Sequence, residues 1–474
     1  MTQDSSTDRA VTWLAPAGAV AVAILIRIPS LISPANITFD EGVYASSVRA
    51  MRSGAKPFID IFSSQGPFFL PMLRAADAAG FGWNPAPRLA MLAAAVALTV
   101  AVYVLARGYA APLLAAGCAG LVAVSGTALY ATAPMQSDGI ALAFGVLGIL
   151  VAVRAPVAWA PWLAGALLGA GVAVKSLHVI PCIIVVAAVL LSQRRWAGTV
   201  AAAVTGAVVV LAASAPWGFE RVWEQYVVFH LSLPGTGGAA DRIAFVTRNL
   251  IRYDGTLLLA VAAAAVAALI RREPPARSQP AGPRWLPVLW LTATVVVLIA
   301  AATLEPGFTR AVGFLIPPLA LLVAQLRPDP RLVILLAVVA IPLQLGLNPV
   351  ADTQRPDGLD KRVIEVLRGL PAGVMVVTDQ PGLAWQAHRD IPAGLTDPSY
   401  ARIAAGDLTA DDLVAALRRP DVCAYMDWSG RFRPFAREVD VAVAGWDQKL
   451  TDGRGGRLLV RPGCAATTAT AEGS

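Results

Sequence analysis

The stretch ITFDEGVYASSVRAMRSGAKPFID, residues 37–60, interrupts a chain that is otherwise strongly apolar. Two adjacent carboxylates, Asp40 and Glu41, follow shortly after a segment long enough to cross a membrane. Apolar residues recur after them at helical spacing and predict a short amphipathic helix at the membrane interface, ending at Gly54. Because the helix dipole favours acidic residues at an N-terminus, capping by itself is a sufficient explanation for the pair.

The composition is typical of a polytopic membrane protein. Of the 474 residues, 57% are hydrophobic and 15% are charged, and the formal net charge is +7. Soluble domains carry about a quarter charged residues. Many of the arginines lie in short connections between apolar runs, where they report orientation and not nucleic-acid binding. With three histidines and no Cys-x-x-Cys, the sequence does not indicate a zinc site.

About eleven apolar segments have a length suited to membrane-spanning helices. These spans are predicted at 12–32, 88–106, 110–130, 137–153, 158–174, 177–193, 197–216, 255–270, 285–304, 311–326 and 331–349. If the N-terminus is cytoplasmic, the inner connections contain Arg107, Arg154, Arg194, Arg195, the arginine-rich segment 271–284, and Arg327 with Arg331, in agreement with the positive-inside rule. We therefore expect a multi-pass protein of the cytoplasmic membrane whose N-terminus lies inside.

In this orientation several charged residues fall on the outer side, each at or just beyond the end of a span. They are Asp40, Glu41, Asp138, Lys175, His178 and Arg310. A charge at a helix centre costs about 2.5–3.5 kcal/mol on insertion scales, and a charge at the end of a span costs much less. This lower cost is enough to explain the position of any one of these residues. Asp138 can cap a helix, Lys175 can snorkel, His178 can be structural, and Arg310 can pair with Glu305 or a lipid phosphate. Their joint position on one face favours a shared site.

Several motifs follow one another in a characteristic order. The first outer loop (33–87) contains the Asp-Glu pair, then KPFID and SSQGPFFLPML, and YATAPMQSDGIALAF (130–144) opens a later span. GAGVAVKSLHVIP (169–181) and FTRAVGFLIPPLALLVA (308–324) come next. In order and topology they resemble the GT-C glycosyltransferases of the branch related to protein O-mannosyltransferases and aminoarabinose transferases (glycosyltransferase 39/83-like). Many relatives have His-Pro-Pro or Lys-Pro-Pro where this chain has Gln65-Gly66-Pro67, which puts the role of that basic residue in doubt.

The resemblance implies a glycosyltransferase that moves a sugar from a polyprenyl-phosphate donor to an extracytoplasmic hydroxyl. The acceptor class, whether cell-wall glycan, glycolipid or protein, stays open. Asp40 would remove the acceptor proton and Glu41 would orient Asp40 or the acceptor. Lys175 and Arg310, with His178 as a further candidate, would bind the phosphate that leaves.

Three further roles follow from the same resemblance. Asp138 would hold acceptor hydroxyls or share a divalent cation with Asp40, and the sequence does not decide whether a metal is used. Tyr44 and Gln65 are candidates for contacts to the acceptor or within the loop. The expected partners are the lipid-linked donor, the acceptor and membrane lipids, and not nucleic acid.

The predicted organisation is a GT-C transmembrane domain over 1–350 and a small extracytoplasmic α/β domain over 351–474. A second outer loop, 217–254, carries the flexible segment PGTGG. In the tail, GVMVVTDQPGLAW (373–385) predicts a strand, a turn and a helix, LTADDLVAALRRPDVCAYM (408–426) a helix capped near Thr409 and a strand, and GRLLVRPG (456–463) a further strand. Cys423 and Cys464 can pair if the tail faces an oxidising compartment.

Two other classes of protein fit the composition. A transporter or lipid-linked-sugar flippase would place polar residues near the membrane midplane, with internal repeats and broken helices. A non-catalytic membrane scaffold would use its external domain to bind cell-wall material. The outer position of the charges and the lack of a visible repeat favour the transferase.

Overall fold

The computed structural model describes residues 5–32, 37–81, 86–155, 157–233, 238–270, 282–300, 309–347 and 358–464. Up to Leu347 the described chain is helical. The main helices are Ser5–Leu25, Ile28–Ile32, Phe39–Arg52, Phe69–Ala76, Ala86–Ala106, Pro112–Val124, Gly126–Thr132, Ser137–Arg154, Ala160–Val174, Ser176–Ser192, Trp196–Ser214, Phe219–Trp223, Phe229–Ser232, Ala239–Ile270, Leu286–Ala300, Thr309–Val312, Ile316–Leu326 and Pro330–Leu347. From Gly358 onward the chain mixes helices and strands.

Four helices in the described ranges are long and apolar enough to cross a membrane: Arg88–Ala106, Ser137–Arg154, Trp196–Trp217 and Ala239–Ile270. Pro112–Val124 and Gly126–Thr132 form a fifth if they are counted as one span, bent by 62°. Shorter apolar helices of 10–17 residues coincide with the remaining predicted spans. The protein is a multi-pass membrane protein. The number of eleven spans and the side on which each end lies stay predictions.

Small residues bring the apolar helices together. A Cβ added to Gly165 would lie 2.2 Å from the carbonyl oxygen of Ala202, and one added to Gly169 would lie 2.5 Å from that of Gly206. The two glycines are four residues apart and so lie on one face of helix Ala160–Val174, where the helix Trp196–Ser214 packs. Glycines at this spacing allow close backbone approach, which drives helix association in a lipid environment.

The segment 217–254, predicted as a second outer loop, is helical for most of its length. Residues 219–232 are helical, and the helix predicted to begin at residue 255 begins at Ala239 instead. Its helical geometry breaks at Asp254, with φ −130° and ψ 24°, close to the predicted start of the span. The reason is that polar residues extend an amphipathic helix here without interrupting it. Four of the five residues of PGTGG, 234–237, lie outside the described residues.

The second part contains a four-stranded sheet. Its strands are β1 (Met375–Thr378), β2 (Val422–Asp427), β3 (Asp447–Thr451) and β4 (Arg457–Val460), in the order β1-β2-β4-β3. β1 and β2 are parallel, whereas β4 is antiparallel to both of its neighbours. The helices of this part are Gly358–Arg368, Pro381–Gln386, Tyr400–Ala404, Ala410–Leu417 and Ala436–Ala442. The predicted α/β character of the tail, including the cap at Thr409, is confirmed.

Side chains of the sheet alternate between two cores, as the two-residue period of a strand requires. Val377, Tyr425 and Leu459 belong to one buried cluster. Their sequence neighbours Val376, Ala424 and Leu458 belong to a second cluster, with helix Gly358–Arg368. Cys423, at the start of β2, forms a disulfide with Cys464, with Cα atoms 5.7 Å apart.

The sheet-containing part packs on helix Phe39–Arg52. A Cβ added to Gly42 would lie 2.5 Å from the backbone nitrogen of Gly382, so the two backbones are in direct contact. The Ser47 hydroxyl donates a hydrogen bond to the Thr396 hydroxyl at 3.2 Å, and Arg49 pairs with Asp390. Residues 41–48 are consequently all buried. The predicted helix is present and the second part of the protein covers it, whereas its position at the membrane interface stays a prediction.

Candidate active site

Helix Phe39–Arg52 begins with a capping box. The Thr38 hydroxyl accepts a hydrogen bond from the backbone nitrogen of Glu41 at 3.1 Å, and the Glu41 carboxylate accepts one from the backbone nitrogen of Thr38 at 2.9 Å. Capping is therefore real, but it uses Glu41 and not Asp40. The two adjacent carboxylates have different environments from the first turn of the helix onward.

Glu41 lies in a buried polar network. Its Oε1 accepts hydrogen bonds from Arg88 Nε and from the backbone nitrogen of Met135, both at 2.8 Å, and its Oε2 accepts one from Arg88 Nη2 at 3.1 Å. Arg88 also donates to the carbonyl of Ser30. These bonds, with the one from Thr38, engage both carboxylate oxygens, so Glu41 joins three segments of the chain. The sequence analysis missed Arg88, an arginine at the start of the apolar helix Arg88–Ala106.

Asp40 is the more accessible carboxylate of the pair and is only partly buried. Its Oδ2 lies 3.4 Å from Nε2 of Gln136, which donates to it. Gln136 is a second residue that the sequence did not single out, although it belongs to the quoted motif YATAPMQSDGIALAF.

Asp138 and Lys175 form a buried ion pair. Lys175 Nζ lies 3.8 Å from Asp138 Oδ1, and the two side chains are 8% and 1% exposed. Asp138 lies in the first turn of helix Ser137–Arg154, and Lys175 occupies the extended break between helices Ala160–Val174 and Ser176–Ser192. A lysine that snorkels to water would be exposed, so the burial of Lys175 does not fit that alternative.

The loop before helix Phe69–Ala76 fixes this break. Backbone nitrogens of Gly66 and Phe68 donate to the carbonyls of Val174 and Ala173 at 3.0 and 2.9 Å, which satisfies the carbonyl groups at the end of a helix. A Cβ at residue 66 would lie 2.1 Å from the Ala173 oxygen, so only glycine fits. The Gln65 Oε1 accepts a hydrogen bond from the Ser137 hydroxyl at 2.6 Å, so Gln65 contacts the residue next to Asp138.

Residues 219–232 cover the same region. The Tyr226 hydroxyl donates to the carbonyl of Val172 at 2.6 Å and accepts from the backbone nitrogen of Ser176, on either side of Lys175. Gln225 accepts a hydrogen bond from the backbone nitrogen of Ser63 at 3.0 Å. This segment therefore fixes the two helix ends that flank Lys175.

The remaining predicted site residues are Tyr44, His178 and Arg310. Tyr44 is buried in the core, where its ring meets that of Phe69 edge to face with centroids 4.8 Å apart, so this contact is a packing contact. The side chains of His178 and Arg310 lie outside the described residues. The backbone three residues after Arg310 lies close to helix Gly126–Thr132, because a Cβ added to Gly313 would lie 3.0 Å from the Thr127 carbonyl oxygen.

The residues described here do not make an ordinary divalent-metal site. Among the described residues, no group of three or more His, Cys, Asp or Glu side chains comes together. Asp138, one of the two suggested ligands, lies beside the ammonium of Lys175. Carboxylate and carbonyl oxygens surround hard cations in proteins, and an adjacent ammonium opposes such binding.

A second buried polar cluster lies where helix Ala239–Ile270 breaks. Oδ2 of Asp254 accepts a hydrogen bond from the Thr127 hydroxyl at 2.6 Å, and the Gln344 side chain donates to the carbonyl of Tyr253. Asp254 is 1% exposed. No local pattern in the sequence indicates this cluster, because its members come from three distant helices.

Solved structures share this arrangement of helices and appended sheet. The aminoarabinose transferase ArnT from Cupriavidus metallidurans, bound to undecaprenyl phosphate, superposes with a TM-score of 0.64 over 93% of this chain and 97% of that chain, at 14% identity. The oligosaccharyltransferase from Archaeoglobus fulgidus, tethered to an acceptor peptide, gives a TM-score of 0.51 over 94% of this chain and 73% of that chain, at 11% identity.

The fold is therefore that of the GT-C glycosyltransferases, and the resemblance seen in the motifs is confirmed at the level of the fold. No family model matches the chain, and no curated protein matches it either. At these identities the shared feature is the fold alone.

Proposed function

We propose that the protein is a glycosyltransferase that uses a polyprenyl-phosphate-linked sugar as donor and an extracytoplasmic hydroxyl as acceptor. One observation carries the proposal: three consecutive residues connect three candidate parts of the site. Gln136 contacts Asp40, Ser137 contacts Gln65, and Asp138 pairs with Lys175. The residue proposed as general base and the residue proposed to bind phosphate thus both contact the segment 136–138.

The chemistry assigned to Asp40 is general-base catalysis. As the acceptor oxygen attacks the anomeric carbon, its proton passes to the Asp40 carboxylate, and the bond between that carbon and the donor phosphate breaks. Asp40 suits this role because it is partly accessible, whereas Glu41 is occupied by Arg88 and two backbone groups.

Lys175 is assigned to the phosphate that leaves. An ammonium has three donors, so Lys175 can keep Asp138 as one partner and still bind phosphate oxygens with the others. Charge builds on the phosphate as the glycosidic bond breaks, and a cation already held in place stabilises it. Arg310 and His178 remain proposed as further phosphate-binding residues, and Tyr44 and Gln65 as residues that shape the loop.

The two similar structures support this choice of substrates. One is described as bound to undecaprenyl phosphate, and the other is described with an acceptor peptide. We propose the same class of lipid-phosphate donor for this chain.

The proposed division of the chain follows from the same function. Residues 1–350 form the transmembrane catalytic domain and residues 351–474 form an external domain. The N-terminus lies on the cytoplasmic side of the membrane. The Cys423–Cys464 disulfide supports an external tail, since disulfides persist in oxidising compartments.

Replacement of Asp40 tests the proposal. Purified Asp40→Asn protein is expected to lose at least about 100-fold in sugar transfer from a polyprenyl-phosphate donor, measured with a radiolabelled sugar, because a general base contributes roughly 10²–10⁴-fold. Asp60→Asn is the matched control, since Asp60 is an exposed carboxylate of the same loop. Wild-type transfer by Asp40→Asn would refute the base assignment. A wild-type protein that moves lipid-linked sugar across vesicles without transferring it would instead indicate a flippase.

A further inference from the structure

The sheet-containing part turns the carboxyl ends of β1 and β2 toward helix Phe39–Arg52. Asp379 directly follows β1 and Asp427 ends β2, and the two strands are parallel. The segment after β1 reaches the helix, where the Ser46 hydroxyl donates to the carbonyl of Pro381 at 3.4 Å. Open α/β sheets bind ligands at the carboxyl ends of their strands. In this protein that edge lies beside Asp40.

Asp379 holds the loop that follows β2. It is fully buried, and its carboxylate accepts hydrogen bonds from the backbone nitrogens of Trp428, Ser429 and Arg431 at 2.7, 2.8 and 3.1 Å. Three backbone donors on one carboxylate fix the loop in one conformation. The position of the Arg431 side chain is thereby determined by the sheet.

The Arg431 guanidinium lies between two aromatic rings. Its central carbon is 3.9 Å from the ring centroid of Phe39 and 5.0 Å from that of Tyr400. Phe39 is the residue directly before Asp40. Within the described part of the chain, the buried Nε of Arg431 has no hydrogen-bond partner. Nη1 of the same guanidinium donates to the hydroxyl of Ser429 and to the carbonyl of Asp379, so the arginine is held in place beside both rings.

Tyr400 is positioned and exposed. Oδ1 of Asp397 accepts a hydrogen bond from the backbone nitrogen of Ser399 at 3.0 Å, and Ser399 caps the helix that begins at Tyr400. The Tyr400 residue is nevertheless 58% exposed. A fixed, exposed ring beside a stacked arginine offers a flat apolar surface with polar groups at its edge.

Charges of the two parts of the protein act on one another here. Burial lowers the pKa of Arg431, and the carboxylates of Asp379, Asp40 and Asp397 act in the opposite direction. Burial raises the pKa of Asp397 and the charge of Asp40 adds to that effect, whereas the Arg402 guanidinium acts in the opposite direction. Asp40 therefore lies within electrostatic range of both Asp397 and Arg431. Asp40, Asp379 and Asp397 together present three carboxylates against the guanidinium groups of Arg431 and Arg402.

We propose that Arg431 and Tyr400, supported by Asp397, form the acceptor subsite beside Asp40, and that this subsite takes an uncharged sugar. The inference rests on the proposed transferase function and names the acceptor class for it. Carboxylates accept hydrogen bonds from sugar hydroxyls, a guanidinium donates to sugar oxygens, and an exposed tyrosine ring packs on the apolar face of a sugar. An anionic acceptor group would meet an excess of negative charge.

Saturation-transfer NMR on the full-length protein in detergent tests the subsite. The probes are methyl α-D-mannopyranoside and methyl β-D-galactofuranoside, with mannose 6-phosphate as the charged comparison. We expect saturation of at least one methyl glycoside by the wild type and at least a fivefold weaker signal with Tyr400→Ala and Arg431→Lys. Arg437→Ala, which removes an exposed arginine of the same part, should behave as wild type. Tyr400→Ala is expected to fold normally because the ring is exposed.

Several outcomes overturn the inference. These are no glycoside signal with the wild type, equal signals for Tyr400→Ala and Arg437→Ala, or a stronger signal for mannose 6-phosphate than for the mannoside. Thermal stabilisation by undecaprenyl phosphate is measured in parallel and should persist in Tyr400→Ala. If the lipid phosphate stabilises the wild type while no glycoside binds, the acceptor inference alone fails. If the wild type neither responds to the lipid phosphate nor transfers sugar, the transferase proposal itself fails.

Discussion

Lys175 Nζ lies 3.8 Å from Asp138 Oδ1, and both side chains are buried at the point where two helices meet end to end. A lysine in the extended break between helices cannot keep its position by helical hydrogen bonding alone. The backbone of Gly66 and the hydroxyl of Tyr226 hold the two helix ends, and Asp138 holds the ammonium. The pair thus links the proposed phosphate site to the turn that contacts Asp40.

Breaking this pair is expected to be costly. Lys175→Met leaves the Asp138 carboxylate without its ammonium partner, and removal of one member of a buried pair typically costs about 3–5 kcal/mol. The double variant Asp138→Leu/Lys175→Met should recover part of the lost stability. Thermal unfolding of the wild type, Lys175→Met, Asp138→Leu and the double variant in one detergent measures the coupling. Additive losses would show that the two charges do not interact.

Substitution of Gly66 should displace the first outer loop. In Gly66→Ala the new methyl group would meet the Ala173 carbonyl at 2.1 Å, so the loop must move away from Lys175. Overpacking of this kind costs about 1–3 kcal/mol. We expect a lower melting temperature and weaker stabilisation by undecaprenyl phosphate. Gly346→Ala is the control, since nothing lies within 4 Å of its added Cβ. Equal behaviour of the two variants would contradict the close approach.

Gly42→Ala should loosen the contact between the two parts of the protein. Its added Cβ would lie 2.5 Å from the backbone nitrogen of Gly382, which has no side chain that can give way. Hydrogen exchange measured by mass spectrometry is expected to rise in residues 381–386 and 428–431. Gly255→Ala, where the added atom has no neighbour within 4 Å, should leave exchange in both segments unchanged. Unchanged exchange in Gly42→Ala would mean that the parts do not depend on this contact.

The stability of the sheet-containing part should depend on pH. Burial, with the charge of Asp379 next in importance, raises the pKa of Asp427 from its ordinary value of 3.8 to about 7. Between these values the folded protein holds a proton that the unfolded chain releases, so the contribution of Asp427 to stability falls as the pH rises through this window.

Asp427→Asn removes that dependence. We expect its melting temperature to match that of the wild type near pH 4. Near pH 8 it should be higher than that of the wild type, in which Asp427 is then ionised beside the charge of Asp379. Asp447→Asn, which changes an exposed carboxylate at the start of β3, serves as control. A variant whose advantage over the wild type is the same at both pH values would contradict the raised pKa.

The sequence by itself determined the class of fold. Long apolar runs can satisfy their backbone groups in lipid only as helices, so the positions of Ser137–Arg154 and Ala160–Val174 follow from composition. Alternating strand and helix patterns placed β1, β2 and β4 in the tail, and the order of motifs brought Asp40, Asp138 and Lys175 into one hypothesis.

Only the tertiary structure decided how the neighbouring carboxylates differ. Arg88 and Met135 are 47 and 94 residues from Glu41 in the chain, and their bonds to it make Glu41 structural while Asp40 stays accessible. Likewise, no local pattern shows that the tail covers helix Phe39–Arg52 and brings Arg431 onto Phe39. Helical periodicity depends on neighbours within a few residues, whereas these contacts depend on which surfaces meet when distant segments pack.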